Sequence, residues 1–426
     1  MMKKTIAILS LLLAFQAKAQ NGDWSGKLEV QGTSLTVVVH ITDEGCTLDS
    51  PDQGALGIKG NLSKNALGGI RIDIPSIDAV YEGFPVGEKL IGTFIQHGTS
   101  FPLTLSPGIP VLRRPQTPQP PFPYLTEDIS FANGEAVLRG TLTIPQDCGK
   151  DTPVVLMVTG SGLQNRDEEL FGHRPFAVIA DALARCGIAS LRYDDRGFGE
   201  SSGDAMNATI EDLKEDALAG LAFLRERFSR AGVLGHSEGG TIALMLAAEK
   251  QIDFAVSLAG MVISGKETLI EQNRLMLPHS GYSEQMTEEY CKALEEVFDC
   301  VIDGITPSLS SSNLPAELQQ NLQAVAMLCR SPYMKHFIKL DLTSRLDSIS
   351  CPVLALNGTS DRQVDCKRNL DALENGLKCP HKTFAAEGLN HMFQHCRTGF
   401  PEEYKDIEET FSSEALKIIC DWILKL

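Results

Sequence analysis

The chain has 426 residues, more than one ordinary domain needs, and its 43% hydrophobic against 22% charged residues can bury sizeable cores, which excludes global disorder. Its 38 basic residues face 55 acidic ones, a formal charge of -17. A surface of that sign repels phosphate backbones, which excludes nucleic acid as a partner.

The first residues read as an export signal, residues 1–19. Met1-Met2-Lys3-Lys4 supplies a positive start, Ile6 to Phe15 an apolar run broken only by Ser10, and Ala17-Lys18-Ala19 a small-x-small cleavage site. The run is short for a bilayer span, and a retained anchor is the rival reading. No Cys stands at the cleavage site to carry a lipid. No later stretch is long and apolar enough for a transmembrane helix. The expected location is therefore periplasmic or extracellular. The eleven Cys are odd in number and show no disulfide framework. Cys186 and Cys420 sit in apolar contexts and read as small buried hydrophobes. A bridge between Cys379 and Cys396 stays open. No Cys/His grouping has zinc spacing.

Residues 20–106 are expected to form an all-β accessory domain. Apolar and polar positions alternate in Leu28 to Ile41, Ile70 to Ile74 and Lys89 to Ile95, separated by turn signals such as Glu44-Gly45 and His97-Gly98. That spacing predicts an antiparallel sandwich or a small barrel. No catalytic constellation occurs in it. Residues 107–124 are rich in proline, including Pro118-Gln119-Pro120-Pro121-Phe122-Pro123, and read as a stiff linker.

From residue 125 to 426, strand-length apolar runs alternate with helix-period segments. Val154 to Val158, Ile188 to Tyr193, Val233-Leu234 and Phe254 to Leu258 read as buried strands. Pro175 to Cys186, Ile210 to Phe228 and Thr241 to Lys250 read as helices. The rhythm predicts an α/β fold with a mostly parallel sheet and helices on both faces. It breaks over residues 265–346, where Thr287 to Asp299 and Leu314 to Leu328 are amphipathic, and the sheet resumes at Pro352 to Leu356. An inserted helical cap fits that break, and an ordinary extra helical layer is the alternative.

In such sheets, reactive groups gather at the carboxyl ends of strands. Three strand ends stand out. Gly235-His236-Ser237-Glu238-Gly239-Gly240 lies between a strand and an Ala- and Leu-rich helix, a turn so tight that glycine is favoured on both sides of a lifted Ser. Ser237 is the candidate nucleophile. Asp361 follows the strand ending at Leu356-Asn357-Gly358, where a carboxylate can orient an imidazole; Asp365 and Asp347 are lesser rivals. His391 follows the strand-like Lys382-Thr383-Phe384 and is the candidate general base, then general acid; His381 and His395 compete with it. The order Ser237, Asp361, His391 is the nucleophile–acid–base order this topology requires. The oxyanion needs two backbone N–H donors. Glu238 should supply one, and Ser161 of Thr159-Gly160-Ser161-Gly162 the other, with Gly162 as second choice. Asp194 and Arg196, in Asp194-Asp195-Arg196-Gly197-Phe198-Gly199, read as a salt-bridged loop under the site, not as an active pair.

These motifs together resemble the α/β-hydrolase superfamily, and most nearly exported bacterial serine esterases with an amino-terminal β domain. The residues that carry the resemblance are Gly160-Ser161-Gly162 with Arg166-Asp167, Asp194 to Gly199, and Gly235 to Gly240. The chain departs from many relatives at Thr159, where they carry a His that is usually architectural.

Three functions follow as expectations. The first is cleavage of small carboxylic esters, with short acyl groups, through Ser237, His391 and Asp361 and an acyl-enzyme, without metal or organic cofactor. An acylated glycan is a further candidate substrate. The second is a serine peptidase, with cap carboxylates such as Glu288 and Glu289 holding a peptide terminus. The third is a binding protein that has lost catalysis. Oligomeric state has no signature in the sequence.

Overall fold

The computed structural model describes residues 21–30, 33–53, 55–65, 68–109, 113–307 and 314–426. The expected export signal, residues 1–19, lies outside the described residues. The chain divides into two units, Met1–Val111 and Leu112–Leu426.

The first unit is a closed barrel of eight strands. These are β1 (Gly22–Val30), β2 (Thr33–Thr42), β3 (Gly45–Ser50), β4 (Ala55–Lys64), β5 (Ile70–Ile74), β6 (Ala79–Val86), β7 (Lys89–Gln96) and β8 (Thr99–Pro107). Each pairs antiparallel with the next, and β8 closes on β1 with Trp24 opposite Pro107 and Ser25 opposite Ser106. That closure decides between sandwich and barrel, and it pairs what would otherwise be sheet edges. The alternation seen in the sequence becomes an inward set: Val37, Val39 and Ile41 of β2 face Ile70, Ile72 and Ile74 of β5 within one core.

The second unit is built on an eight-stranded sheet. Its strands are β9 (Tyr124–Asn133), β10 (Ala136–Pro145), β11 (Val154–Val158), β12 (Ala189–Tyr193), β13 (Ala231–His236), β14 (Ala255–Leu258), β15 (Val353–Gly358) and β16 (His381–Ala386), in the order β16-β15-β14-β13-β11-β12-β10-β9. From β12 to β16 the pairing is parallel. The β9–β10 hairpin adds an antiparallel edge that the apolar rhythm did not reveal, because its exposed residues alternate with buried ones. Both faces of the sheet are covered, which is why its central strands are continuously apolar. Val154, Leu156 and Val158 of β11 join a core with helices α2 (Ile210–Arg225), α3 (Glu238–Ala248) and α8 (Cys366–Gly376). Val155 and Met157 point the other way, into a core with α1 (Pro175–Arg185) and α9 (Ser413–Ile423).

Between β14 and β15 the chain forms α4 (Gly265–His279), α5 (Glu284–Ile302), α6 (Ala316–Leu328) and α7 (Pro332–Phe337). They have a core of their own, with Ile270, Tyr290, Leu294, Phe298, Leu318 and Leu322. Ser283 and Ser331 cap α5 and α7 by accepting from Met286 N and Met334 N.

The proline-rich segment is not a free spacer throughout. The Arg114 guanidinium donates to the carbonyls of Phe171, Lys405 and Ile407, and Gln116 bonds Thr410 and Phe411. A planar cation with five donors satisfies several loop carbonyls at once, which fastens residues 114–116 to the second unit.

Candidate active site

The turn between β13 and α3 carries Ser237 in a backbone conformation rare for a residue with a side chain, φ 52° and ψ -118°. Such a conformation costs about 1–3 kcal/mol and persists only where its surroundings enforce it. Ser237 N–H donates to Leu258 O at 2.8 Å, and Thr241 N–H donates to Ser237 O at 3.2 Å. The flanking glycines are sterically required. A Cβ on Gly235 would lie 1.9 Å from Gly239 O, and one on Gly239 would lie 1.9 Å from Val158 O. Among the described residues, the half-buried Ser237 hydroxyl has no hydrogen-bond partner. The first N–H groups of α3, beginning at Glu238, have no partner within the helix and supply positive partial charge at the turn.

Asp361 lies three residues beyond β15 and His391 five beyond β16. The structure brings them together: His391 Nδ1 donates to Asp361 Oδ2 at 2.7 Å, with both side chains buried. Asp361 Oδ1 accepts from the backbone of Gln363 and Val364, at 2.7 and 2.9 Å, which aims the other oxygen at the ring. His391 sits in a loop tightened by Asn390, which exchanges side-chain and backbone bonds with Gln394. The loop is tied to the Ser237 turn by its neighbour. His236 Nε2 donates to His391 O at 2.9 Å, and the two rings have centroids 4.7 Å apart.

His236, the residue before Ser237, has a partner on each ring nitrogen. Its Nδ1 faces Glu168 Oε1 at 2.9 Å, and the same oxygen accepts from Gly160 N–H at 2.6 Å. Both ring nitrogens thus face acceptors, an arrangement that the doubly protonated ring satisfies. Burial pulls the His236 pKa down, but the Glu168 charge, the bonds to Glu168 and His391 O, and the Asp361 charge outweigh it and raise it. Glu168 therefore couples the Gly160-Ser161-Gly162 turn to the Ser237 turn. Nothing in residue spacing signals a pair 68 positions apart.

Thr159 opens the turn that carries Ser161. Its hydroxyl donates to Asp195 Oδ1 at 2.8 Å, and Asp195 Oδ2 accepts from Gln164 N–H at 2.8 Å. Burial pushes the Asp195 carboxyl up to about 7. The loop bearing Ser161 is thereby anchored on both sides.

The loop of Asp194 and Arg196 is salt-bridged, with each residue finding its partner outside the loop. Asp194 pairs with Arg166, through bonds of 2.7 and 3.0 Å to Oδ1 and 2.7 Å to Oδ2. Arg196 instead reaches Asp216 of α2 through two bonds of 2.6 Å. The rivals are also placed. Asp365 caps α8 by accepting from Arg368 N–H at 2.7 Å, and Asp347 is exposed on a 3-10 turn. His381 bonds Cys379 O, and His395 pairs with Glu409 on the surface. In the cap, Glu288 is held by Arg274 and Glu289 by Gln285, and both are exposed. Cys379 and Cys396 are free thiols, and Cys396 Sγ bonds Gly388 O. Cys186 is exposed, contrary to its expected burial, because it lies just past the end of α1.

Glu238 is buried, and its carboxylate accepts from the Tyr333 hydroxyl of α7. Burial pushes its pKa up to about 7. Tyr333 is a further residue at the site that no pattern in the sequence marks. Among the described residues no cluster of three or more His, Cys, Asp or Glu could hold a metal ion, and no helix is long and apolar enough to cross a membrane.

The sheet order, the strained Ser at the β13–α3 turn and the buried Asp–His pair beyond β15 and β16 define an α/β hydrolase. Residues 174–395, more than half of the chain, match the family model described as Serine aminopeptidase, S33, and the chain belongs to that family. The curated esterase EstD of Thermotoga maritima is 38% identical over 125 residues, 29% of this chain and 30% of that protein. The alignment thus spans under a third of the relative's length. Among solved structures, an esterase from Pyrococcus furiosus is 15% identical with a TM-score of 0.42, over 71% of this chain and 93% of that one. A proline iminopeptidase from Mycobacterium smegmatis is 13% identical with a TM-score of 0.45, over 70% and 98%.

Proposed function

We propose that this chain is a serine hydrolase that cleaves carboxylic esters with short acyl groups. The observation that carries the reading is the buried 2.7 Å bond from His391 Nδ1 to Asp361 Oδ2, tied through His236 to the turn that lifts Ser237. In this reading Ser237 Oγ attacks the ester carbonyl carbon as His391 Nε2 takes its proton. Asp361 holds the ring with Nε2 free and stabilises the imidazolium. The oxyanion is held by the N–H groups of Ser161 and Glu238. The tetrahedral species collapses, His391 protonates the departing alkoxide, and the acyl group stays on Ser237. Water, deprotonated by His391, then releases the carboxylic acid.

Nitrophenyl esters of graded acyl length test the proposal, with aminoacyl nitroanilides beside them and Ser237→Ala as control. The expected result is ester turnover that falls with acyl length and is lost in the variant. Amide cleavage at rates equal to ester cleavage would replace the esterase reading with a peptidase one. We also read the chain as exported, from Lys3-Lys4, the apolar run and Ala17-Lys18-Ala19. Sequencing the amino terminus of protein recovered outside the cytoplasm tests that, with Gln20 expected first.

A further inference from the structure

We infer that Tyr333, carried by the cap helix α7, is a positioning residue for the oxyanion hole, because its hydroxyl holds the side chain of Glu238, whose N–H group would form one side of that hole. The inference rests on the serine hydrolase reading and goes beyond it by making the hole dependent on the cap.

The two donors come from different parts of the chain. Ser161 lies in the loop after β11, and Glu238 is the first residue of α3. A developing oxyanion must lie within about 2.7–3.1 Å of both N–H groups at once, so the spacing of the two segments matters. Tyr333 Oη donates to Glu238 Oε2, which ties the cap to the residue that follows Ser237. Glu238 is buried, so this bond satisfies a carboxyl group with little access to water. The Tyr333 ring is held from the other side, stacked on Phe337 with centroids 5.8 Å apart, and it packs against the cap core. The ring therefore belongs to the cap and the hydroxyl to the site. A cap that shifted would release that tether.

Tyr333→Phe keeps the ring, its stacking and its packing, and removes only the hydroxyl that holds Glu238. Its kcat on a nitrophenyl ester should fall roughly 10- to 100-fold, as expected when reacting groups are misplaced by a fraction of an ångström to an ångström, while KM changes less than about twofold. Affinity for an arylboronic acid, which forms a tetrahedral anion on the serine, should fall by the same factor as kcat. A merely structural role would move the melting temperature without moving kcat and boronate affinity in parallel. Glu238→Gln, which keeps an acceptor for Tyr333, should retain activity that Glu238→Ala loses. Wild-type kcat in Tyr333→Phe overturns the inference, and so does a fall in kcat with unchanged boronate affinity. If Ser237→Ala retains wild-type activity, the serine hydrolase reading has failed; if that variant is dead and Tyr333→Phe is unimpaired, only the role of Tyr333 has failed.

Discussion

His236 and His391 stand with their ring centroids 4.7 Å apart, and the first donates from Nε2 to the backbone carbonyl of the second at 2.9 Å. The residue just before Ser237 thereby holds the loop that carries the candidate base. The other side of the His236 ring is held by Glu168, which in turn holds Gly160. The turn of Ser237, the loop of His391 and the turn of Gly160 are joined through one buried imidazole.

Breaking that junction has a pH signature. The folded pKa of His236 is raised, so its contribution to stability is fully present below the unfolded value of about 6.5 and is lost as pH rises through the folded one. Glu168→Gln keeps an acceptor for Gly160 but removes the charge opposite His236. It should destabilise the protein by about 3 kcal/mol or more in acid, with the gap to wild type closing as pH rises. Denaturant melts at a series of pH values check this; a gap that widened with pH would contradict the assignment.

Glu238 gives a second pH dependence with a different chemistry. Its carboxyl is raised to about 7, so the folded state binds more protons than the unfolded one and stability falls as pH climbs from the usual carboxylate range to about 7. Glu238→Gln removes that loss. The variant should match wild type near pH 4 and exceed it at pH 8 by about 3 kcal/mol, as read by chemical denaturation. Asp195, raised to about 7 as well, should leave a residual slope of the same sign in the variant.

Asp361 and Asp365 make a paired test. Asp361→Asn keeps an oxygen for Gln363 and Val364 but leaves His391 in the wrong tautomer or turned. Ester kcat should fall about 10^4-fold. Asp365→Asn touches only the cap of α8 and should leave kcat within about twofold, with a stability loss near or below 1 kcal/mol. Steady-state kinetics of the two purified variants decide between them; equal losses would remove Asp361 from its proposed role.

Much of the fold could be read from the sequence, for physical reasons. Central strands buried on both faces must be continuously apolar, so Val154 to Val158 is visible without any partner. The barrel strands show their alternation because one face is core. The Ser237 turn is visible because Gly235 and Gly239 have no room for a Cβ, and such steric exclusion leaves a mark on residue type. Side-chain partners leave no such mark. Asp194 and Arg196 are two apart in sequence, yet each finds its partner elsewhere, at Arg166 and Asp216. Glu168 and His236, or Tyr333 and Glu238, meet only because the sheet and cap bring distant segments together. Their residue types are common and their spacing carries no period. The antiparallel β9–β10 hairpin escaped for the opposite reason, since half of its residues face water and dilute the apolar signal.

In the proposed mechanism Ser237 is a nucleophile activated by His391. Mass spectrometry of the folded protein after reaction with a fluorophosphonate tests it most directly. One adduct is expected, on the peptide containing Ser237, formed by wild type and abolished or slowed at least about a thousandfold in His391→Ala. A folded wild type that stays unlabelled, or an adduct on another serine that survives Ser237→Ala, would contradict it.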